Sequence, residues 1–332
     1  MKVETVESHT QGMPTRVVVG GVEPIPGNTM LQRWEYAREH LEDLRRFLMF
    51  EPRGHHAMSG AILCPPCDTR ADLGVIFIEV TGFLPMCGHG SIGVCTVAVE
   101  RALVPVRQPR TQVVLDTPAG LVRADVRVEG GRAKDVTLTN VPSFLSLRDA
   151  TVAVEGLGAV RFDLAYGGNF YAIVAAGDAG LTLALHEAPA VVERGMRIMN
   201  AVREQHSFSH PREPAICELR HVLFTAPPTL DGAHSKGAIV LHPGQLDRSP
   251  CGTGTSARMA QRYARGEQRL GETFVHESFL GTSFTGTLLE AIDAGVPAVV
   301  PAIRGSAWIS GHATYVLDPS DPFPHGFLIP TA

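Results

Sequence analysis

Lysine is scarce in this chain of 332 residues. Only Lys2, Lys134 and Lys236 stand against twenty-six arginines, and the net charge is −5. That balance gives no electrostatic footprint for a nucleic-acid partner, and the arginine bias reads as compositional rather than as a phosphate-binding surface. No long apolar run follows Met1. Neither an export signal nor a membrane span is therefore expected, and the expected location is the cytoplasm. The six cysteines are too few, in an unexported chain of this length, for a disulfide framework, and they read as reduced thiols. Cys64-Pro65-Pro66-Cys67 has the CxxC spacing, but no second pair follows to complete a four-ligand zinc site, so a loop and no metal are expected. What remains is 44% hydrophobic and 19% charged, a globular composition long enough for two domains.

One stretch is present twice. Cys87-Gly88-His89-Gly90-Ser91-Ile92-Gly93 and Cys251-Gly252-Thr253-Gly254-Thr255-Ser256-Ala257 share the pattern Cys-Gly-x-Gly-[Ser/Thr]-x-[Gly/Ala], 164 residues apart, about half the chain. Each follows an apolar run, Val75 to Val80 and Ala238 to Leu241, and each opens a helix-like segment. A lone copy would be weak; the repeat at half-length spacing predicts two similar lobes with one thiol each.

Around these motifs the chain alternates short apolar strands with Gly and Pro turns. Strands are expected at Arg16 to Val19, Gly74 to Val80, Leu121 to Val128, Phe162 to Val174 (around Gly167-Gly168) and His221 to Phe224. Ser8-His9-Thr10 reads as a polar, turn-rich entry to the first of these. One helix is expected from Asn28-Thr29 through Leu48, and another from Pro189 to Gln205. Many strands around a buried helix after each cysteine predict an α+β fold rather than serial parallel βαβ units. Gly130-Gly131 is a natural boundary, giving one lobe over residues 1–130 with a C-terminal strand and tail at about 312–332, and a second over 131–311.

A cysteine at a helix start meets outward-pointing backbone N–H groups, which favour thiolate and can lower its pKa from about 8.5 to as little as ~3.5. The glycines allow close backbone approach to a bound carboxylate. Two such ends acting on one carbon would suit inversion of a stereocentre, one sulfur removing a proton and the other returning one. At close range only one would be charged. Asp247, four residues before Cys251, is a candidate for a substrate ammonium, and His89 for the same amine or for tuning Cys87; alone, each is more often a turn former or a helix-start residue. A cysteine hydrolase would use only one of the two motifs. A thiol- or metal-binding protein, suggested by fourteen histidines and the Cys64/Cys67 pair, is the non-enzymatic alternative.

These residues resemble the proline racemase family. The likeness extends from Ser8-His9-Thr10 and Pro14-Thr15-Arg16-Val17-Val18 through Glu51-Pro52-Arg53-Gly54-His55, Met86-Cys87-Gly88-His89-Gly90 and Tyr166-Gly167-Gly168-Asn169-Phe170-Tyr171 to Asp247-Arg248-Ser249-Pro250-Cys251-Gly252-Thr253-Gly254-Thr255. The resemblance implies a diaminopimelate-epimerase-like fold of two pseudo-symmetric lobes, each a sheet around a central helix, with the active site in the cleft between them. It implies an imino-acid substrate and no cofactor, neither pyridoxal phosphate nor metal, in a monomer or homodimer. It implies Cys87 and Cys251 as the two bases, with Gly88, His89, Gly252 and Thr253 on the substrate, Asp247 on its amine and His221 lining the pocket. Family members resembling hydroxyproline dehydratases replace one cysteine; both are present here, which implies inversion rather than water loss. The small Ser59 stands where proline-specific members carry a bulky apolar group, and Gly90 where they carry Asn. Epimerisation of trans-4-hydroxy-L-proline at Cα to cis-4-hydroxy-D-proline is therefore the expected reaction, with proline racemisation as the alternative.

Overall fold

A computed structural model describes residues 2–329; residue 1 and residues 330–332, the extremes of the expected first lobe, lie outside the described residues. The chain opens with strands β1 (Lys2–Thr10) and β2 (Met13–Gly20) and helices α1 (Met30–His40) and α2 (Glu42–Met49). Strands β3 (Ser59–Cys64), β4 (Leu73–Glu79) and β5 (Gly82–Leu84) lead into α3 (Gly88–Glu100), followed by β6 (Arg110–Thr117), β7 (Gly120–Glu129) and β8 (Arg132–Thr139). Next come β9 (Phe144–Val154), β10 (Gly158–Tyr166), β11 (Phe170–Ala175), α4 (Ala188–Gln205) and β12 (Leu219–Ala226). Strands β13 (Ser235–Leu241) and β14 (Gln245–Leu246) precede α5 (Gly252–Ala264). The last strands are β15 (Thr273–Glu277), β16 (Ser283–Asp293), β17 (Pro297–Gly305) and β18 (Ala307–Val316).

The chain divides into two compact units. One holds the described residues up to Leu138 and from Arg304 onward, the other Thr139–Ile303. The division falls eight residues beyond Gly130-Gly131, whose positive φ values of 59° and 76° serve a different purpose: they form the tight turn between β7 and β8.

In the first unit β1 lies between β18 and β2, antiparallel to both, with Val6 opposite His312 on one side and Val17 on the other. β2 runs parallel to β3, and β3 antiparallel to β4. Helix α3 packs on β1, β2, β3, β6, β7 and β18. Ile92, Val94, Cys95, Val97, Ala98 and Val99 are all buried, and so are its polar Ser91 and Thr96, whose hydroxyls donate to the Cys87 and Ile92 carbonyls of the preceding turn, as a helix buried on most of its surface requires. In the second unit β9, β10 and β11 are successively antiparallel, β11 pairs parallel with β12, and β12 antiparallel with β13. Helix α5 packs on β9, β10, β11 and β16, burying Ala257, Met259 and Ala260. Each cysteine motif thus opens the central helix of its own unit, in a mixed fold of many strands and few helices.

Two local expectations change. The helix predicted from Asn28 to Leu48 is two helices, broken at Leu41, where φ is −112° and ψ 16°. α1 buries Met30, Trp34 and Ala37; on a continuous helix Phe47 and Met49, also buried, would lie about a quarter turn to either side of that stripe. Ser8-His9-Thr10 ends a nine-residue strand rather than forming a turn. Its polar side chains concealed the pattern: Ser8 and Thr10 are buried but satisfied, Ser8 Oγ donating to the Thr15 carbonyl (2.9 Å) and Thr10 Oγ1 to that of His89 (2.8 Å).

Candidate active site

Both cysteines are N-caps. Cys87 precedes α3 in extended conformation, and its Sγ accepts the Gly90 N–H at 3.4 Å. Cys251 precedes α5, and its Sγ accepts the Gly254 N–H, again at 3.4 Å. Each sulfur therefore occupies the position of a Ser or Asp cap oxygen, answering an N–H the helix itself leaves unpaired. The glycines make room for this. A Cβ on Gly90 would stand 3.0 Å from Cys87 Sγ and 3.1 Å from the Phe77 ring, and one on Gly254 3.2 Å from Cys251 Sγ and 3.3 Å from the Tyr171 ring. Gly88 and Gly252, the first residues of the two helices, are buried.

The two thiols have different company. In the first unit, Cys87 can donate to Glu79 Oε1 at 3.5 Å, with His89 Nδ1 at 3.4 Å. His89 Nε2 meets Ser59 Oγ at 3.0 Å, and Ser59 Oγ donates to Glu79 Oε1 at 3.2 Å. Thr81 Oγ1 donates to the other carboxylate oxygen at 3.3 Å. Since Ser59 gives its one hydrogen to Glu79, it accepts from Nε2–H, which leaves Nδ1 of a neutral His89 as the acceptor facing the thiol. All of these side chains are buried. Oxygen, sulfur and nitrogen of Glu79, Cys87 and His89 lie within 4.8 Å of one another, a set that could hold a metal ion.

In the second unit, Cys251 is surrounded by donors. The Tyr171 hydroxyl is 3.2 Å from its Sγ and 2.6 Å from Thr253 Oγ1, which is itself 3.7 Å from the sulfur. Asn169 Nδ2 lies 3.5 Å from the same Thr253 oxygen. Burial, above all, and the nearby Asp247 charge push the Cys251 thiol well above its usual range; Tyr171, the Gly254 N–H and Thr253 pull the other way without cancelling the rise. Its backbone sits at φ 63° and ψ 110°, a conformation that costs a non-glycine residue about 1–3 kcal/mol.

Asp247 is 2% exposed and its Oδ1 accepts the Ser249 N–H (2.8 Å) and Oγ (3.0 Å), while Ser249 Oγ in turn accepts the Cys251 N–H (3.1 Å). The carboxylate thus shapes the turn that presents the cysteine. His221, on β12, stacks on Tyr171 with ring centroids 4.7 Å apart. Burial drives its pKa down to about 3, so the ring is neutral, and its Nδ1 makes no hydrogen bond among the described residues. The structure therefore gathers Ser59, Cys87, Gly88 and His89 in one unit, and His221, Asp247, Cys251, Gly252 and Thr253 in the other. Cys64 and Cys67 stand apart: Cys64 Sγ lies near Arg33, while the Cys67 N–H donates to Asp116.

Glu79 was not singled out from the sequence, and Tyr171 entered only as the end of the Tyr166–Tyr171 likeness, with no role assigned. Each left a signal, a lone carboxylate at the end of the apolar run before Cys87, and a tyrosine entering an apolar strand just after a Gly-Gly turn.

The fold and its relatives make the chain an isomerase of the racemase and epimerase type. The chain belongs to the proline racemase family, whose model, described as proline racemase, matches residues 5–328. A 4-hydroxyproline 2-epimerase of Streptosporangium roseum is 56% identical over 325 residues, 98% of this chain and 97% of that one. A proline racemase of Clostridioides difficile is 43% identical, covering 98% of both chains. Among solved structures, a hydroxyproline epimerase from Agrobacterium vitis with bound trans-4-hydroxy-L-proline superposes with a TM-score of 0.95 at 37% identity, covering 99% of this chain and 95% of the other. A Bacillus anthracis protein of the PhzF phenazine-biosynthesis family, at 12% identity and a TM-score of 0.59, shares the fold alone.

Proposed function

We propose that this chain epimerises trans-4-hydroxy-L-proline at Cα to cis-4-hydroxy-D-proline, without a cofactor, using Cys87 and Cys251 as a thiolate/thiol pair. The observation that carries the reading is the matched capping geometry: each compact unit presents one thiol at the start of its buried helix, held by an amide N–H at 3.4 Å. On this reading the two thiols act on the same carbon, one as base and the other as acid.

The starting roles follow from the surroundings. Cys251, with its thiol pushed up by burial and by Asp247, is the proton donor. Cys87 is the base, its proton taken by His89 Nδ1 or the Glu79 carboxylate, both within 3.5 Å. Cys87 removes the Cα proton as Cys251 delivers its own to the opposite face, and the protein is left with the roles exchanged, ready for the reverse reaction. Backbone N–H groups of Gly88, His89, Gly252 and Thr253 at the two helix starts would hold the carboxylate and stabilise the enediolate that develops on it. Asp247 would receive the ring ammonium, and His221 would line the pocket in neutral form.

Ser59 supports hydroxyproline over proline. It is small, fully buried and hydrogen-bonded to both His89 and Glu79, so the surroundings of Cys87 are polar rather than filled by a bulky apolar group. The 56% identity to a 4-hydroxyproline 2-epimerase points the same way. Chiral chromatography of initial rates on trans-4-hydroxy-L-proline and L-proline tests the choice. The expected kcat/KM ratio favours hydroxyproline by at least about tenfold; equal or inverted values would make the chain a proline racemase, and an unsaturated ring product a dehydratase.

A further inference from the structure

We propose that Tyr171 is the positioning residue that makes the Cys251 thiolate attainable, as the end of a hydrogen-bond chain running Asn169–Thr253–Tyr171–Cys251. The proposal rests on the two-thiol reading above and adds a residue that the cysteine motifs do not contain. Its starting point is an imbalance. Whenever Cys251 has given up its proton it becomes an anion 5% exposed, near the carboxylate of Asp247. Cys87 has a histidine and a carboxylate within reach to exchange its proton with; Cys251 has hydroxyl groups and an amide instead.

The donor directions form one consistent sequence. The Asn169 amide donates to Thr253 Oγ1 (3.5 Å); Thr253 can then pass its hydrogen to the Tyr171 oxygen (2.6 Å), which frees the Tyr171 hydrogen for Cys251 Sγ (3.2 Å). Each link orients the next, so the phenol reaches the sulfur as a donor already aligned. With the Gly254 N–H the sulfur then accepts two hydrogen bonds, both stronger to a thiolate than to a thiol. The phenol keeps its own proton, because burial raises its ionisation far beyond that of an ordinary tyrosine. Stacking on His221 holds the ring in place, and this neutral imidazole brings no competing charge. Tyr171 thus acts through Cys251 rather than on the substrate.

The test is Tyr171→Phe, which keeps the ring and its stacking and removes only the hydroxyl. Iodoacetamide alkylation of the substrate-free full-length protein would be followed at each cysteine by peptide mass spectrometry across pH. The expected result is a Cys251 alkylation profile displaced about one unit upward, hence slowed about tenfold at any pH below the pKa of that thiol, with Cys87 unchanged. Cys87 also reports on folding, since a loosened protein would expose both thiols and accelerate both. In that event Thr253→Val, which breaks the chain one link earlier and leaves the phenol in place, carries the test; it is expected to slow Cys251 selectively and by less. Unchanged Cys251 reactivity in Tyr171→Phe, or equal changes at both cysteines in Thr253→Val, overturns the proposal. The readout needs no turnover, so a failure of the two-base mechanism would appear separately, as epimerisation that survives loss of one thiol.

Discussion

Replacing Gly90 with alanine isolates the geometric demand that the site places on α3. The added Cβ would lie 3.0 Å from Cys87 Sγ and 3.1 Å from two carbons of the Phe77 ring. Phe77 is fully buried in β4 and has little room to move, so the displacement falls on the sulfur. Restoring ordinary contact requires a shift of roughly 0.5 Å, given that well-packed carbon contacts lie near 3.5–4.0 Å. A misplacement of about 1 Å in a reacting group costs on the order of 100-fold in rate, so kcat is expected to fall about 10- to 100-fold. The stability cost is bounded separately. Alanine gains about 0.5–1 kcal/mol over glycine inside a helix, against about 1–3 kcal/mol for local overpacking. The net loss is between about zero and about 2.5 kcal/mol, a shift of several degrees in Tm at most. Epimerase rates and thermal unfolding on the same preparation make the comparison. A Gly90→Ala protein with kcat within twofold of wild type would refute the argument that the Cys87 sulfur must sit against the Gly90 amide.

Three further expectations follow from other parts of the molecule. Because Asp247 is second only to burial in raising the Cys251 thiol, Asp247→Asn should move Cys251 alkylation to lower pH while raising KM for the imino acid; unchanged alkylation would contradict the assignment. In the second unit Arg265 bridges Asp163 (2.7 Å) and Asp149 (2.6 Å), and Asp163 is 2% exposed. Burial alone would raise the Asp163 carboxyl, but Arg265 and Gln261 overcome it and hold the pKa below its ordinary value, so the stabilisation is complete above about pH 4 and is lost as pH falls through the lowered folded pKa. Arg265→Leu should therefore cost about 2–4 kcal/mol in urea unfolding at neutral pH, allowing for the partial exposure of Arg265, and less at pH 3; a cost that does not shrink in acid would contradict it. Ser59→Phe should lower kcat/KM for hydroxyproline relative to proline by about 10- to 100-fold, and an unaltered ratio would remove Ser59 from the specificity argument.

Much of this organisation was legible in the sequence because the signals were local. Cys-Gly-x-Gly marks a helix start by chemistry that spans four residues, and its recurrence near half the chain length anticipated one central helix per unit. The partners of the thiols were not legible in this way. Tyr171 reaches Cys251 only because β11 packs against the start of α5, and the two residues are 80 apart in sequence. Glu79 comes to Cys87 through the turn between β4 and β5 and reads in isolation as an interruption of an apolar strand. β1 escaped notice for a related reason: buried Ser8 and Thr10, each satisfied by a backbone carbonyl, have no hydrophobic signature. The division between the units, beyond Leu138 rather than at the conspicuous Gly130-Gly131, depends on which strands pair, and no composition shift announces it.

The central claim is that both thiols are required, one on each face of the same carbon. Proton NMR in D₂O on trans-4-hydroxy-L-proline, with the wild-type protein and with Cys87→Ser and Cys251→Ser, tests it most directly. The expected result for the wild type is loss of the Cα proton signal together with appearance of the cis-4-hydroxy-D-proline spectrum, and in either variant no epimer above background. Epimer formed at a wild-type rate by a protein lacking either sulfur would contradict the account.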